Sequence, residues 1–169
     1  MYEKELIALS TSGARYIIIG GIALGLSGYP RATFDLDILP ELSKENLDKI
    51  LKALQKLGFK PRLPINPEEI KDAEKRELWF KEKNMRVFSF FNPEELINTI
   101  DLMIYYPINF EECFKRRQTV KLKGHEIYVS SVEDLLELKK ISMRAVDMGD
   151  IEVLEKMLKK KEKNIKNPF

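Results

Sequence analysis

Histidine, cysteine and tryptophan each occur once in this 169-residue chain, at His125, Cys113 and Trp79. One cysteine leaves no partner for a disulfide within the chain, and Cys113 with His125 gives too few ligands for a Cys/His zinc site. A Ser-His-Asp triad could use only His125, which follows Gly124 in the run Lys123-Gly124-His125 and reads as a surface turn residue. No apolar run reaches the length of a membrane span. The opening Met1-Tyr2-Glu3-Lys4 begins no signal peptide, so a cytoplasmic chain is expected. No excess of one charge exists either: 29 Lys and Arg against 27 Asp and Glu leave +2, with the signs interspersed, which excludes a polybasic nucleic-acid binder. The basic stretch Lys159 to Lys166 reads as a solvated helix end. Glutamine occurs only at Gln55 and Gln118, and the Lys- and Glu-rich mix suits a heat-adapted source.

What is present is enough apolar material for a core, at 44% of residues. Length and the absence of a low-complexity linker predict one domain over 1–169, with a core at about 14–130 and C-terminal helices at about 131–163. Glu5 to Ser10 reads as a short helix and Tyr16-Ile17-Ile18-Ile19 as a buried strand ending at Gly20-Gly21. A short helix follows, closed by Gly28 and Pro30. Phe34 to Leu39 alternates as a strand, with Phe34, Leu36 and Ile38 on one face and Asp35 and Asp37 on the other; Pro40 stops it. Ser43 caps a helix with the stripe Leu47, Ile50, Leu51, Leu54 and Leu57, ended by Gly58. Asn66-Pro67 opens another helix, in which Trp79 and Phe80 read as packing or an oligomer contact rather than a base-stacking platform. Strands are expected over Met85 to Phe91 and Ile97 to Tyr105, and a hairpin over Thr119 to Val129 around Gly124. Ser131 and Asp134 make a capping-box-like start for a helix that Gly149 breaks; Asp150 then caps the last one. The order predicts an α/β (α+β) domain: a mixed β-sheet with helices on one face, an open ligand face, and a helical C-terminal end.

Two glycines between a strand and a helix let backbone amides approach a ligand, which suits phosphate. Asp35 and Asp37 lie about 6.5 Å apart along one strand face. Like carboxylates there repel unless a cation neutralises them, and an oxygen-rich set favours a hard ion such as Mg²⁺ or Mn²⁺. Asp101 interrupts the apolar run Ile100-Asp101-Leu102-Met103-Ile104, where an acid asks for a reason. If its strand neighbours that of Asp35 and Asp37, three carboxylates converge near the Gly20-Gly21 turn, the arrangement that clamps attacking and leaving oxygens in nucleotidyl transfer.

Gly20-Gly21-x-Ala23, Arg31-x-Thr33-x-Asp35-x-Asp37 and Asp101, in that order over about residues 16 to 105, resemble the signature of the DNA polymerase β-type nucleotidyltransferase superfamily. The branch they are most similar to is that of the small AbiEii-type toxins and minimal nucleotidyltransferases. The later segment from Ser131 to Leu135, with Lys139, Arg144 and Asp147, is similar to the end of many such domains. The resemblance implies a nucleotidyltransferase fold and a metal-dependent enzyme. It would move a nucleoside monophosphate from an NTP to a hydroxyl or phosphate, with protein and RNA open as acceptors. It also implies that Asp35, Asp37 and Asp101 are catalytic and hold Mg²⁺ or Mn²⁺, and that Gly20, Gly21, Arg31, Thr33 and Lys139 contact nucleotide. Arg31 has an ion pair with Asp35 or Asp37 as its alternative, Thr33 a plain strand role, and Lys139 and Arg144 solvation on a helix surface. Many members carry Ser where Gly21 stands, so a phosphate-facing hydroxyl is missing from that place. Two other readings compete: a non-catalytic nucleotide-binding or toxin–antitoxin partner module, and a divalent-ion phosphohydrolase, which the scarcity of histidine disfavours.

Overall fold

The computed structural model describes residues 2–29, 32–142 and 147–166, so the expectations placed on Arg31 and Arg144 lie outside the described residues. The apolar run Tyr16–Ile19 forms β1 and is buried on both faces, as a central strand should be. Around it build α1 (Glu3–Thr11), α2 (Gly20–Leu26), β2 (Asp35–Pro40), α3 (Lys44–Lys56) and a short β3 (Lys60–Pro61). A 3-10 turn (Pro67–Lys71), α4 (Ala73–Lys83), β4 (Val87–Asn92), β5 (Glu95–Met103) and α5 (Phe110–Arg116) follow. The chain closes with β6 (Gln118–Leu122), β7 (His125–Val129), α6 (Val132–Ser142) and α7 (Met148–Lys166).

The strands form one mixed sheet in the order β3-β4-β5-β2-β1-β7-β6. β2 runs antiparallel to β1 and parallel to β5, and β1 runs parallel to β7. Period-two alternation sorts the faces. Leu36, Ile38, Phe88, Phe90, Ile100 and Leu102 are buried on one, while Asp35, Asp37, Ser89, Asp101 and Met103 on the other keep solvent access. Phe34 does not join the buried set as the alternation suggested; it precedes the first paired residue of β2 and is 60% exposed. Pro40 ends β2 as its last paired residue, opposite Tyr16.

Local chemistry explains most element ends. Ser43 accepts from Asn46 N–H at the start of α3, whose Leu47, Ile50, Leu51 and Leu54 are buried. Each such side chain contributes about 1.5–3 kcal/mol. The β6–β7 turn has Lys123 at φ 48° and Gly124 at φ 85°, the left-handed pair a two-residue hairpin loop requires; His125 is the first paired residue of β7, opposite Leu122. Two boundaries differ from the sequence reading. Asn66 caps only the 3-10 turn, and Asp72, accepting from the Glu74 and Lys75 N–H groups, starts α4. Gly149 and Asp150 are the second and third residues of α7 rather than a helix break and a cap, and the Asp150 carboxylate is engaged by Lys139 of α6. Helix α5, capped by Asn109 on the Glu112 N–H, and the two-residue β3 were not foreseen. Among the described residues, no helix is long and apolar enough to cross a membrane.

Candidate functional site

The end of β1 and the middle of β2 meet at Gly20. Its φ is +70°, and a Cβ there would stand 2.0 Å from Asp37 Oδ2 and 2.7 Å from Asp37 Cγ. Only glycine tolerates both the left-handed backbone and a carboxylate lying against its Cα. Gly21 is closed in the same way by Thr33, whose Cβ and Oγ1 would lie 2.9 and 3.0 Å from an added Cβ. The two glycines thus give up their side-chain space to the chain's own Asp37 and Thr33. Thr33 Oγ1 stands where a side chain of residue 21 would begin, so a hydroxyl reaches this turn from the segment before β2.

Parallel pairing of β2 with β5 sets Asp37 directly opposite Asp101, and Asp35 opposite Thr99. Asp37 and Asp101 are thereby neighbours on one face, each flanked along its strand by fully buried apolar residues, Leu36 and Ile38, Ile100 and Leu102. Asp35 shares the face but lies two residues nearer the start of β2 and is exposed. The first rung of this ladder is held by Tyr2. Its hydroxyl accepts from Thr99 N–H at 2.9 Å and reaches the Thr99 carbonyl at 2.8 Å and the Phe34 carbonyl. Burial, above all, pushes the Tyr2 phenol up to about 12, so it stays protonated and able to donate.

Asp37 and Asp101 open into a cavity of about 400 Å³ between the sheet and α6, a size at the low end of small-molecule sites. Leu135 and Leu138 of α6 form its roof, and Val87 and Met103 extend the floor away from Gly20. Lys139 also reaches this wall, but it is not solvated on a helix surface. Its Nζ lies 2.7 Å from Asp147 and 2.8 Å from Asp150, and all three side chains are buried. Two carboxylates of α7 and its approach therefore already offset that ammonium. Arg86 is the cation sequence reasoning missed. It lines the cavity beside β4 with its guanidinium 5.1 Å from the Phe80 ring centroid, and no sequence motif announces it. Trp79 is buried against Phe88, and Phe80 stacks on Tyr105 at 3.6 Å, so this aromatic pair is packing, as expected.

Residues 2–161 match the family described as nucleotidyltransferase of unknown function, DUF6036. The chain belongs to this nucleotidyltransferase family. Solved nucleotidyltransferases share its fold. A Thermotoga maritima protein assigned as a nucleotidyltransferase aligns with a TM-score of 0.54 at 13% identity, over 96% of this chain and 93% of that one. Lincosamide antibiotic adenylyltransferase LnuA, solved with lincomycin, gives a TM-score of 0.57 at 16% identity, over 89% and 92%. The antibiotic-resistance factor ANT(2'')-Ia gives 0.53 at 14% identity, over 96% and 91%. At these identities the likeness is one of fold. No protein of curated function matches the sequence.

A nucleotidyltransferase of this superfamily implies a divalent cation, and the donor chemistry can be tested against that. Among the described residues, no three His, Cys, Asp or Glu side chains gather as a ready-made cage; Asp37 and Asp101 stand opposite one another, with Asp35 two residues away on the same face. An oxygen-only pair fits Mg²⁺, which keeps most of its waters and binds through one or two carboxylates plus substrate phosphates. Directly opposed like charges on neighbouring strands also gain from a cation.

Proposed function

We propose that this chain is a metal-dependent nucleotidyltransferase that moves a nucleoside monophosphate from an NTP to an acceptor hydroxyl or phosphate. The observation that carries the reading is the parallel register that sets Asp37 opposite Asp101 beside the left-handed Gly20 turn, at the mouth of one cavity. Asp37 and Asp101 would hold Mg²⁺ or Mn²⁺, with Asp35 on the same face as the third carboxylate. The ion would offset the triphosphate charge and the charge developing on the leaving oxygen. The amides of Gly20 and Gly21 and the Thr33 hydroxyl face the phosphates, with Arg31 as a further cation for them. Asp101 accepts the proton of the acceptor oxygen as that oxygen bonds to the α-phosphorus. The bond from the α-phosphorus to the bridging oxygen breaks, and pyrophosphate leaves. The buried pairing of Lys139 with Asp147 and Asp150 supports a positioning role, holding α6 over the cavity, in place of direct phosphate contact. The adenylyltransferase activity named for LnuA agrees with this class of reaction.

The competing reading is a non-catalytic nucleotide-binding or toxin–antitoxin partner module with the same fold. A single experiment separates the two. The chain is incubated with each α-labelled NTP and Mg²⁺, with and without cell extract, beside the Asp37→Asn and Asp101→Asn variants. Transfer of label by the parent, lost at least 10³-fold in both variants while each stays folded, is the expected result. Calorimetric NTP binding with no transfer to any acceptor supports the module; no binding at millimolar nucleotide with metal overturns the enzyme reading.

A further inference from the structure

Gly20 and Arg86 lie at opposite ends of one cavity, with the acid pair between them. Across the sheet the order is β4, β5, β2, β1. Gly20 follows β1 and abuts Asp37; beyond Asp101 the cavity continues over Met103 and Val87 to Arg86. In an in-line displacement the attacking and leaving oxygens stand on opposite sides of the phosphorus. With pyrophosphate leaving toward Gly20 and Gly21, the nucleophile enters from the β4 side. That half of the cavity is therefore the acceptor's, an assignment that rests on the nucleotidyltransferase reading above.

Its chemistry is uneven. Met103, Val87 and Leu138 make it apolar, while Arg86 places a guanidinium at its edge. Lys139, the other described cation of the cavity, is offset by Asp147 and Asp150. Among the described residues, Arg86 makes no ion pair. Its Nε donates to Asn84 Oδ1 at a long 3.4 Å, and its guanidinium lies 5.1 Å from the Phe80 ring centroid. Phe80 is itself fixed by stacking on Tyr105, with 7° between the ring planes. The Arg86 carbonyl accepts from Ile104 N–H at 2.9 Å and Tyr105 N–H at 3.2 Å, which pins the backbone where the β4–β5 ladder ends. A guanidinium held on an aromatic seat beside an apolar floor disfavours a cationic acceptor and seats an anionic one. Its fork matches the paired oxygens of a carboxylate or phosphate.

We propose that Arg86 is the specificity-determining residue for the acceptor, and that the acceptor is a small molecule with an apolar body and a carboxylate or phosphate that docks on Arg86.

The test uses the full chain, first without nucleotide or metal. Amide shifts are followed by NMR during titration with phenyl phosphate, benzoate and benzyl alcohol, which share an aromatic body and differ in the anion. The expected result is saturable shifts at Val87, Met103 and Leu138 with phenyl phosphate or benzoate, the tighter of the two naming the anion. Arg86→Met weakens the anionic probes at least tenfold, Arg86→Lys keeps part of the affinity, and benzyl alcohol binds both variants as it binds the parent. NTP affinity with Mg²⁺ changes less than twofold in Arg86→Met. Equal affinity of parent and Arg86→Met for both anions overturns the proposal. So do shifts confined to Gly20 and Gly21, or a loss of NTP affinity in Arg86→Met as large as the loss for phenyl phosphate. A parent that binds phenyl phosphate at Arg86 but binds no NTP keeps the anion site and refutes the nucleotidyltransferase reading beneath it.

Discussion

Replacing Gly20 by alanine should expose the contact on which the site's geometry depends. Two costs add. An L-residue at φ +70° loses about 1–2 kcal/mol to the left-handed backbone. The new methyl would also stand 2.0 Å from Asp37 Oδ2 and 2.7 Å from Cγ, so the carboxylate must leave its rotamer, at about 0.5–1.5 kcal/mol. The sum, about 1.5–3.5 kcal/mol, lowers Tm by roughly 3–14 °C for a chain of this size. In an Asp37→Ala background the second cost disappears, while the 3.0 Å approach of the residue-37 Cβ remains in both. Gly20→Ala should then cost only about 1–2 kcal/mol, leaving a coupling of about 0.5–1.5 kcal/mol. Urea denaturation followed by fluorescence of Trp79, buried and unique in the chain, gives all four corners of the cycle. If Gly20→Ala costs the same with and without Asp37, to within about 0.3 kcal/mol, the carboxylate does not lie on Gly20 and the geometry proposed for the site is wrong.

Three further outcomes are expected. Tyr2→Phe leaves the buried N–H and C=O of Thr99 without their hydroxyl partner, a loss of about 1–3 kcal/mol by denaturant titration; an unchanged midpoint would mean that water replaces the hydroxyl. Lys139→Met removes the buried ammonium that Asp147 and Asp150 share and should cost about 3–5 kcal/mol at pH 7, partly restored by the additional change Asp150→Leu; a variant as stable as the parent would show that the ammonium is not what holds these carboxylates. The Cys113 thiol, 2% exposed and pushed up to about 11 chiefly by burial, should resist iodoacetamide at pH 8 until the chain is unfolded, and labelling at the rate of a free thiol in the native protein would refute its burial.

How much of this was legible in the sequence depends on the range of the signal. Asp35 and Asp37 were placed on one face by alternation alone, and the Gly20-Gly21 break between a β-branched run and a helix needed nothing but its neighbours. Ser43, Ser131 and Asp134 were equally readable, because a cap bonds within three residues. Asp101 stood out as an acid in an apolar run, but its pairing with Asp37 stayed conditional: it lies 64 positions later, and its place opposite Asp37 follows from a parallel register that periodicity cannot encode. Lys139 failed for the same reason in the opposite sense. On a helix pattern it looks solvated, yet the start of α7 and the residue before it bring Asp150 and Asp147 to it. Arg86 depends on Phe80 and Tyr105, two elements that meet only in the fold.

The glycines show how a correct residue can carry an incomplete reason. A Gly-Gly turn before a helix reads as room for phosphate, but the space above each Cα is filled from within, by Asp37 over Gly20 and by Thr33 over Gly21. What the missing side chains make possible is the approach of a carboxylate and a hydroxyl to the same turn. That approach ties the conformation of β1's end to the position of the acid on β2, so the amides of the turn and one of the two carboxylates cannot move independently. Gly21→Val therefore tests packing before it tests binding. With Thr33 atoms 2.9–3.1 Å from the new Cβ, the variant should lose stability without any ligand present. The additional change Thr33→Ala should recover much of it while removing the hydroxyl. If the double variant regains stability and still binds NTP as the parent does, the Thr33 hydroxyl is a packing group only, and phosphate contact rests on the backbone amides.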